Sequence, residues 1–416
     1  MMSAVDSGQK FEFRLIVLIG LIQFINILDF MMVMPLGPDY ARALGIPAEH
    51  IGTIGGTYTL AAAIAGLLGA LFLDRFDRKR AVLFFLFGLM IATACGALAW
   101  DLPSLIFARA LAGTFGGPLT SLAIAMIADY IPPERRGAAM GKVMGAFAAA
   151  SVLGIPFGLE IARLFGWRAP FLVLALGAMG VIVMAWFFLP RGKNTKNSGN
   201  VTEQLSYIGG CLRNPTALSA FAFMGLSMMS GFMIIPNFSA HLQMNLDYPR
   251  EHLGILYFCG GLISFFSMRW VGKWIDRTSA THAAVGSTAL FILVTCVGFI
   301  WYPNPIPAVV IFVTFMVSMS SRSVAAQTLA SKVPRPDERG SYMSLQSSVT
   351  HLSSAIGAFL SSQILTHSAD NRLIGVDRLG IMAIAVSIIV PFLFYFTEKR
   401  LHISRGHPAP DPAALA

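Results

Sequence analysis

The chain has 416 residues, of which 56% are hydrophobic and only 12% are charged. A soluble domain carries about 25% charged residues, so this composition excludes an ordinary soluble protein. The formal net charge is +9, but the basic residues lie in short loops between apolar runs, a pattern typical of membrane orientation and not of nucleic-acid binding.

Apolar runs alternate with short polar segments along most of the chain. Because a helix needs about 20 largely apolar residues to cross a bilayer, the alternation predicts an all-α integral membrane protein with twelve transmembrane helices. The predicted spans lie near residues 14–37, 50–72, 81–100, 103–130, 141–165, 169–190, 216–242, 252–272, 282–302, 305–332, 342–366 and 379–397. The polar N-terminus predicts no cleavable signal peptide.

Lysine and arginine concentrate in alternate loops. If the N-terminus is inside, the outer segments hold only Arg42, Arg163, Arg168, Arg250, Arg372 and Arg378. The positive-inside rule then predicts a multi-pass protein of the plasma (bacterial inner) membrane with both termini cytoplasmic. The predicted domains are a cytoplasmic N-terminus, a six-helix bundle, a cytoplasmic linker, a second six-helix bundle and a cytoplasmic tail, at 1–13, 14–190, 191–215, 216–397 and 398–416.

The two halves carry related loops. Asp74-Arg75 after the second span and Asp276-Arg277 after the eighth lie 202 residues apart. The segments IPPERRGAAMG and VPRPDERGSYMS, before the fifth and eleventh spans, align at an offset of 203 residues. Two loop pairs at nearly one offset predict two pseudo-symmetric parallel repeats, an architecture of secondary transporters.

The loop LDRFDRKR resembles the pattern G-x-x-x-D-R-x-G-R-[KR] of the major facilitator superfamily. Asp74-Arg75 and Arg78-Lys79 match the pattern, while Ala70 and Asp77 replace its two glycines. The chain resembles more narrowly the twelve-span drug:proton antiporters of that superfamily, over residues 14–397.

Further motifs carry the same resemblance. Arg109 and Gly113 in the fourth span match an R-x-x-x-G pattern, and GIPFG in the fifth span is similar to a motif of exporters. The resemblance implies a conformational role for Asp74, Arg75, Arg78, Gly113, Gly154, Pro156, Gly158, Asp276 and Arg277. For the charged loop, an alternative role is to fix membrane orientation alone.

Asp29 and Arg109 are ionisable residues that lie well inside predicted spans of the first half. Asp29 lies about 12 Å, and Arg109 about 9 Å, from the outer end of its span at 1.5 Å per residue. Ionisable groups inside a membrane cost several kcal/mol unless paired or hydrated, and these similar depths allow a contact. A neighbouring cation favours the ionised carboxylate and separation favours protonation, which suits proton coupling. A purely structural ion pair is the alternative.

The second half has basic groups in two spans. Arg322 and His351 each lie about 14–15 Å from the inner end of their spans. Together with Gln327 and Gln346 they form a patch that suits a carboxylate or phosphate on a substrate. Arg322 could instead pair with the first-span aspartate, and His351 could carry a proton or serve only as a hydrogen-bonding group.

Three other polar residues are candidates. Gln23 and Asn26 are predicted to hydrogen-bond substrate, with helix–helix contact as the alternative. Glu160 is predicted either to face the mouth of the cavity or to form a surface ion pair with Arg163.

The resemblance implies a secondary active transporter that exports small amphipathic organic molecules in exchange for protons by alternating access. It would need no metal and no cofactor beyond the proton gradient. Its partners would be the small-molecule substrate and the lipid bilayer, and it would not bind nucleic acid. It would work as a monomer. A proton-coupled importer or facilitator of a sugar, organic acid or lipid-like substrate is the alternative. The chain has no P-loop, H-E-x-x-H or G-x-S-x-G motif, which argues against an enzyme. A sensor or scaffold would not need charges in mid-span.

Overall fold

The computed structural model describes residues 2–72, 76–190, 201–302, 305–334, 339–368 and 372–404. Within these ranges nearly every residue is helical, and eleven helices are long and apolar enough to cross a membrane. Large apolar side chains such as Phe107, Phe157 and Phe187 stay exposed on their surfaces, as expected where lipid is the solvent. The protein is therefore an all-α, multi-pass integral membrane protein.

The chain divides into two compact units, Met1–Ile46 with Thr57–Val201, and Pro47–Gly56 with Thr202–Ala416. The helices of the first half are α1 (Met2–Met32), α2 (Gly37–Leu44), α3 (Ile51–Phe72), α4 (Arg78–Ala97), α5 (Leu102–Tyr130), α6 (Pro133–Ala149), α7 (Ile155–Phe165) and α8 (Ala169–Phe188). A short 3₁₀ turn covers Ala48–His50, and a π-helical turn at Ala150–Gly154 joins α6 to α7. In the first unit α4 packs on α5 and α8, and α1 packs on α6.

The helices of the second half are α9 (Val201–Arg213), α10 (Pro215–Met244), α11 (Leu253–Arg277), α12 (Ala280–Thr295), α13 (Ala308–Ala330), α14 (Arg339–Ile364) and α15 (Val376–Ser404). A 3₁₀ turn covers Arg250–His252, and a π-helical turn at Cys296–Ile300 continues α12. Two short antiparallel strands, β1 (Thr366–His367) and β2 (Leu373–Ile374), pair with Thr366 opposite Ile374. In the second unit α10 packs on α14 and α15, and α13 packs on α11 and α12.

The described helices differ from the predicted spans at several places, among them the start of α1 at Met2, within the predicted cytoplasmic N-terminus 1–13. The first helix ends at Met32, five residues before the predicted end of the span at 37. A helix, α9, occupies Val201–Arg213 of the segment predicted as the linker. The predicted eleventh span corresponds to α14, which is 26 residues long but is not among the eleven apolar helices, since serine, threonine and glutamine interrupt its apolar residues.

Close packing with α10 compensates for the polar composition of α14. A Cβ added at Gly357 would meet the main chain of Met229, so the two helix backbones approach closely. Asn237 of α10 donates from Nδ2 to the Oγ of Ser361 at 2.9 Å. Small residues and interhelical hydrogen bonds of this kind hold membrane helices together.

Candidate functional site

A buried ion pair links three helices of the first unit. The Nη1 and Nη2 atoms of Arg109, on α5, each lie 3.2 Å from a carboxylate oxygen of Asp29, on α1. The Oγ1 of Thr93, on α4, donates to the same carboxylate at 2.6 Å. The side chains of Asp29 and Arg109 are 0% and 1% exposed. The depths estimated from the sequence allowed this contact, and the structure contains it.

The position of Asp29 on its helix increases its dependence on Arg109. Since α1 ends at Met32, the carboxylate lies within the last turn, where the negative end of the helix dipole disfavours an anion. Arg109 also donates from Nη1 to the main-chain carbonyl oxygen of Asp29 at 3.2 Å. The guanidinium therefore stabilises the carboxylate and also binds a carbonyl oxygen at the end of the helix.

Aromatic rings surround the guanidinium. Its Cζ lies 5.8 Å from the ring centroid of Tyr58 and 5.6 Å from that of Phe171. Tyr58 stacks on Phe30 with 5.0 Å between the ring centroids. The ion pair of Asp29 and Arg109 thus lies in a low-dielectric environment, where the charge of one partner strongly affects the other.

The predicted substrate residues of α1 form a hydrogen-bond network with neighbouring helices. Asn26 donates from Nδ2 to the carbonyl oxygen of Gly116 at 3.1 Å and lies 3.5 Å from the Oε1 of Gln23. The Oδ1 of Asn26 accepts from the hydroxyl of Tyr58 at 3.3 Å. Both Gln23 and Asn26 are buried. Asn26 therefore joins α1, α3 and α5, the helix-contact arrangement that was the alternative to substrate binding.

The glycines of the two span motifs lie where helices approach closely. A Cβ at Gly113 would overlap the carbonyl oxygen of Tyr58, so α5 contacts the backbone of α3. A Cβ at Gly154 would lie 2.7 Å from Leu28, and one at Gly158 would lie 2.6 Å from the sulfur of Met32. The exporter-like motif therefore packs against the part of α1 that carries Asp29.

Pro156 lies in the first turn of α7, directly after the π-helical turn. Proline lacks the N–H needed for a helical hydrogen bond, and π-helical turns occur frequently at functional sites. The helix adjacent to Asp29 is therefore locally irregular where the predicted conformational motif lies.

The charged loop after α3 is described only in part, because Asp74 and Arg75 lie outside the described residues. Asp77, which replaces a glycine of the family pattern, caps α4 by accepting from the backbone N–H of Arg80 at 2.9 Å. Arg78 donates from Nε to the carboxylate of Asp129, at the end of α5, at 3.3 Å. Lys79 donates to the carbonyl oxygen of Trp186, at the end of α8, at 2.6 Å. These contacts join the ends of α4, α5 and α8.

Two charged pairs, Glu160 with Arg163 and Asp276 with Arg277, are exposed. Glu160 and Arg163 form an ion pair with side chains 46% and 41% exposed, the surface arrangement that was one of the two predictions. Asp276 and Arg277 are exposed at the end of α11.

In the second unit the carboxylate of Glu398 accepts from the backbone N–H of Thr281 at 3.1 Å and so caps α12.

The second-half candidates lie on two helices. Gln346 of α14 donates from Nε2 to the Oε1 of Gln327 on α13 at 3.1 Å. His351 is half-buried on α14. Arg322 is 2% exposed on α13 and donates from Nη2 to the Oγ of Ser230, on α10, at 3.1 Å.

The sequence did not identify several residues that contact the buried arginine and aspartate side chains, or a buried histidine of the second unit. Thr93 and Ser230 have neutral hydroxyls that are common in membrane helices, so no pattern marks them. His241 is 1% exposed and its Nε2 lies 2.8 Å from the carbonyl oxygen of Gly298 in the second π-helical turn. An ionisable residue in the seventh span was the signal that could have identified it.

A helical membrane protein with an ion pair buried inside its spans has the features of a secondary transporter. The family model of the Major Facilitator Superfamily matches residues 19–358, and the chain belongs to this superfamily. The resemblance to this superfamily stated from the sequence is confirmed, and membership of the superfamily indicates a transporter rather than an enzyme.

Related proteins carry names that refer to sugar efflux and to drug resistance. The chain is 23% identical to a probable sugar efflux transporter of Mannheimia succiniciproducens, over 94% of this chain and 96% of the relative. It is 21% identical to the chloramphenicol resistance protein of Streptomyces lividans, over 87% and 91%. For two other relatives, a putative metabolite transport protein of Bacillus subtilis and a probable sugar efflux transporter of Pasteurella multocida, the chain spans only 40% and 56% of the relative's length.

The solved structures support the same fold. A bacterial homolog of the human lysosomal transporter Spinster, in an inward-facing and unoccupied conformation, matches with a TM-score of 0.72. The match has 14% sequence identity and covers 97% of this chain and 99% of that structure. At this identity the match shows the fold alone, and it confirms the predicted major facilitator fold.

Proposed function

We propose that this protein exports small amphipathic organic molecules in exchange for protons, by alternating access. The observation that carries the proposal is the Asp29 carboxylate, which is fully buried, lies at the end of α1 and is held by Arg109. A proton on this carboxylate would cancel one charge of the pair. Protonation and helix contact are therefore linked through a single group.

The chemistry of the pair gives two arrangements with opposite proton occupancy. With Arg109 in contact, the ionised carboxylate is stabilised by charge and by hydrogen bonds from Arg109 and Thr93. If α1 moves away from α5, an ionised carboxylate in the low-dielectric interior becomes costly and takes up a proton. A conformational cycle that makes and breaks the contact would then move one proton per transport cycle.

The packing of α7 on α1 supports a role for α1 in that cycle. Gly154 and Gly158 place the irregular segment around Pro156 against Leu28 and Met32, on either side of Asp29. A rearrangement of the π-helical turn would therefore displace the part of α1 that carries the ion pair. Relatives named as efflux transporters and as a chloramphenicol resistance protein favour export over import.

The test uses the full-length protein in proteoliposomes that contain a pH-sensitive dye. Chloramphenicol, a monosaccharide, and small aromatic cations and anions are supplied under an inside-acid and then an outside-acid gradient. Antiport predicts that the inside-acid gradient drives uptake of the compound. Protons should leave the vesicles as the compound enters. Asp29→Asn should abolish proton movement, and Asp29→Glu should retain part of it.

Glu160→Gln is the matched control, because it removes a carboxylate from an exposed ion pair and should leave proton movement unchanged. Uptake driven by an outside-acid gradient would identify a symporter. Substrate movement without proton movement would identify a facilitator. Normal proton movement in Asp29→Asn would make the ion pair purely structural, and the proposal would fail.

A further inference from the structure

A buried guanidinium of the second unit has no acidic partner among the described residues. In the part of the chain that the structure describes, the buried Nε and Nη1 atoms of Arg322 have no hydrogen-bond partner, and Nη2 donates to Ser230. Within the described ranges Arg322 forms no ion pair. The ring of Phe291, on α12, covers one face of the guanidinium with 4.6 Å from its centroid to Cζ.

Comparison with Arg109 shows how unusual this is. Both arginines are almost fully buried in spans, and both contact an aromatic ring. Arg109 has a carboxylate with two oxygens at 3.2 Å, whereas Arg322 has one neutral hydroxyl. A buried charge without a counterion costs several kcal/mol, so a residue of this kind inside a membrane is a candidate binding group.

Other unused hydroxyls lie on the same helix faces. Ser227 lies one turn before Ser230 on α10, and Thr288 lies one turn before Phe291 on α12. Residues three apart share one face of a helix. The hydroxyl oxygens of Ser227 and Thr288 are buried and have no hydrogen-bond partner among the described residues. A guanidinium with two unpaired N–H-bearing nitrogens, together with hydroxyls on the helix faces that contact it, provides donors of the kind that bind an oxyanion.

We propose that Arg322, with Ser230, Ser227 and Thr288, binds an oxyanion group of the transported molecule, such as a carboxylate, phosphate or sulfonate. This inference rests on the transport function proposed above and narrows the amphipathic cargo to organic anions. Arg322 supplies the charge, and the hydroxyls of Ser227 and Thr288 supply hydrogen bonds to the remaining oxygens. Ser230, whose hydroxyl donates to the carbonyl oxygen of Ser227 at 3.1 Å, accepts from Arg322 and so orients the guanidinium. The bound anion supplies the counterion that Arg322 lacks among the described residues.

The test measures the melting temperature of the purified full-length protein in detergent with benzoate, benzamide, benzylamine and inorganic sulfate. A ligand that binds the folded state raises the melting temperature with its concentration. Benzoate should stabilise the wild type, while neutral benzamide and cationic benzylamine should not. Stabilisation by sulfate as well would show that the oxyanion alone suffices, whereas stabilisation only by benzoate would show that the apolar body is also recognised.

Substitutions separate binding from folding. Arg322→Met removes an unpaired buried charge, so it should raise the melting temperature without ligand and raise the half-saturating benzoate concentration about tenfold or more. Arg322→Lys should keep a weakened response. Arg269→Met is the matched control, since Arg269 is exposed on α11 and also lies over an aromatic ring, 4.2 Å from the centroid of Phe265. This control should respond to benzoate as the wild type does.

Two outcomes would overturn the oxyanion site. One is a loss of stability in Arg322→Met as large as that in Arg109→Met, which would make Arg322 structural. The other is equal stabilisation by benzoate in the wild type and Arg322→Met. Asp29→Asn separates this inference from proton coupling, because it should retain the benzoate response even if the coupling proposal fails.

Discussion

Arg109 contacts Asp29 at three atoms, both carboxylate oxygens and the main-chain carbonyl oxygen, each at 3.2 Å. The contact therefore joins α5 to both the side chain and the backbone of the last turn of α1. A movement of α1 relative to α5 would therefore break contacts to the side chain and to the backbone of α1 together.

Removing one partner of this pair should destabilise the protein more than removing both. Arg109→Met leaves a buried carboxylate without its counterion, at a cost of about 3–5 kcal/mol. Asp29→Leu combined with Arg109→Met replaces the pair by apolar groups and should recover much of the loss. Melting temperatures of the single and double variants in detergent provide the measurement. Additive losses in the double variant would show that the two residues act independently.

The hydroxyl of Thr93 should contribute more to the stability of the protein than the volume of the side chain does. Thr93→Val keeps the shape but removes the donor at 2.6 Å from the Asp29 carboxylate. A hydrogen bond to a charged group contributes about 1.5–3 kcal/mol, so the variant should melt at a lower temperature. Thr93→Ser, which keeps the hydroxyl, is the control and should remain close to the wild type. Equal melting temperatures for Thr93→Val and the wild type would contradict the assigned contact.

A single methyl group at Gly113 should separate α5 from α3. The Cβ of an alanine there would overlap the carbonyl oxygen of Tyr58, so the backbones must move, and overpacking of this kind costs about 1–3 kcal/mol. Gly113→Ala should therefore lower both the melting temperature and transport. At Gly180, on α8, an added Cβ meets nothing within 4 Å, so Gly180→Ala is the control. A tolerated Gly113→Ala would rule out the close approach.

The start of α5 should respond to acid through its capping residue. Hydrogen bonds from Ser104 lower the pKa of Asp101 from 3.8, so the ionised carboxylate favours the folded state. This contribution is fully present well above pH 3.8 and is lost as the pH falls through the lowered pKa of the folded protein. Asp101→Asn keeps a neutral cap and lacks this titration. The difference in melting temperature between wild type and Asp101→Asn should therefore shrink as the pH is lowered from 6 to about 3; a constant difference would contradict it.

The sequence predicted the fold because membrane spans depend on composition, which is directly readable. It also predicted that Asp29 and Arg109 can form a contact, because ionisable residues are rare inside spans. It could not identify Thr93, since the hydroxyl becomes distinctive only when the third helix brings it to the carboxylate. The same limitation applies to Ser230 beside Arg322.

Departures from a family pattern were harder to interpret from the sequence. Asp77 replaces a glycine of the family pattern, and the sequence alone did not show that this residue caps α4. The end of α1 at Met32 was also not readable, since the apolar run continues past it. Only the fold shows that Asp29 lies beside a helix end.

The polar composition of α14 has a consequence for how the protein is made. A segment this rich in serine gains less from transfer into lipid than the eleven apolar helices do. Its favourable partner is α10, which offers Asn237 to Ser361 and a backbone surface to Gly357. The ribosome completes α10 long before α14, so the earlier helix is already in the membrane when the later one emerges. Correct biogenesis of the second unit therefore depends on α10 remaining accessible until α14 has been synthesised.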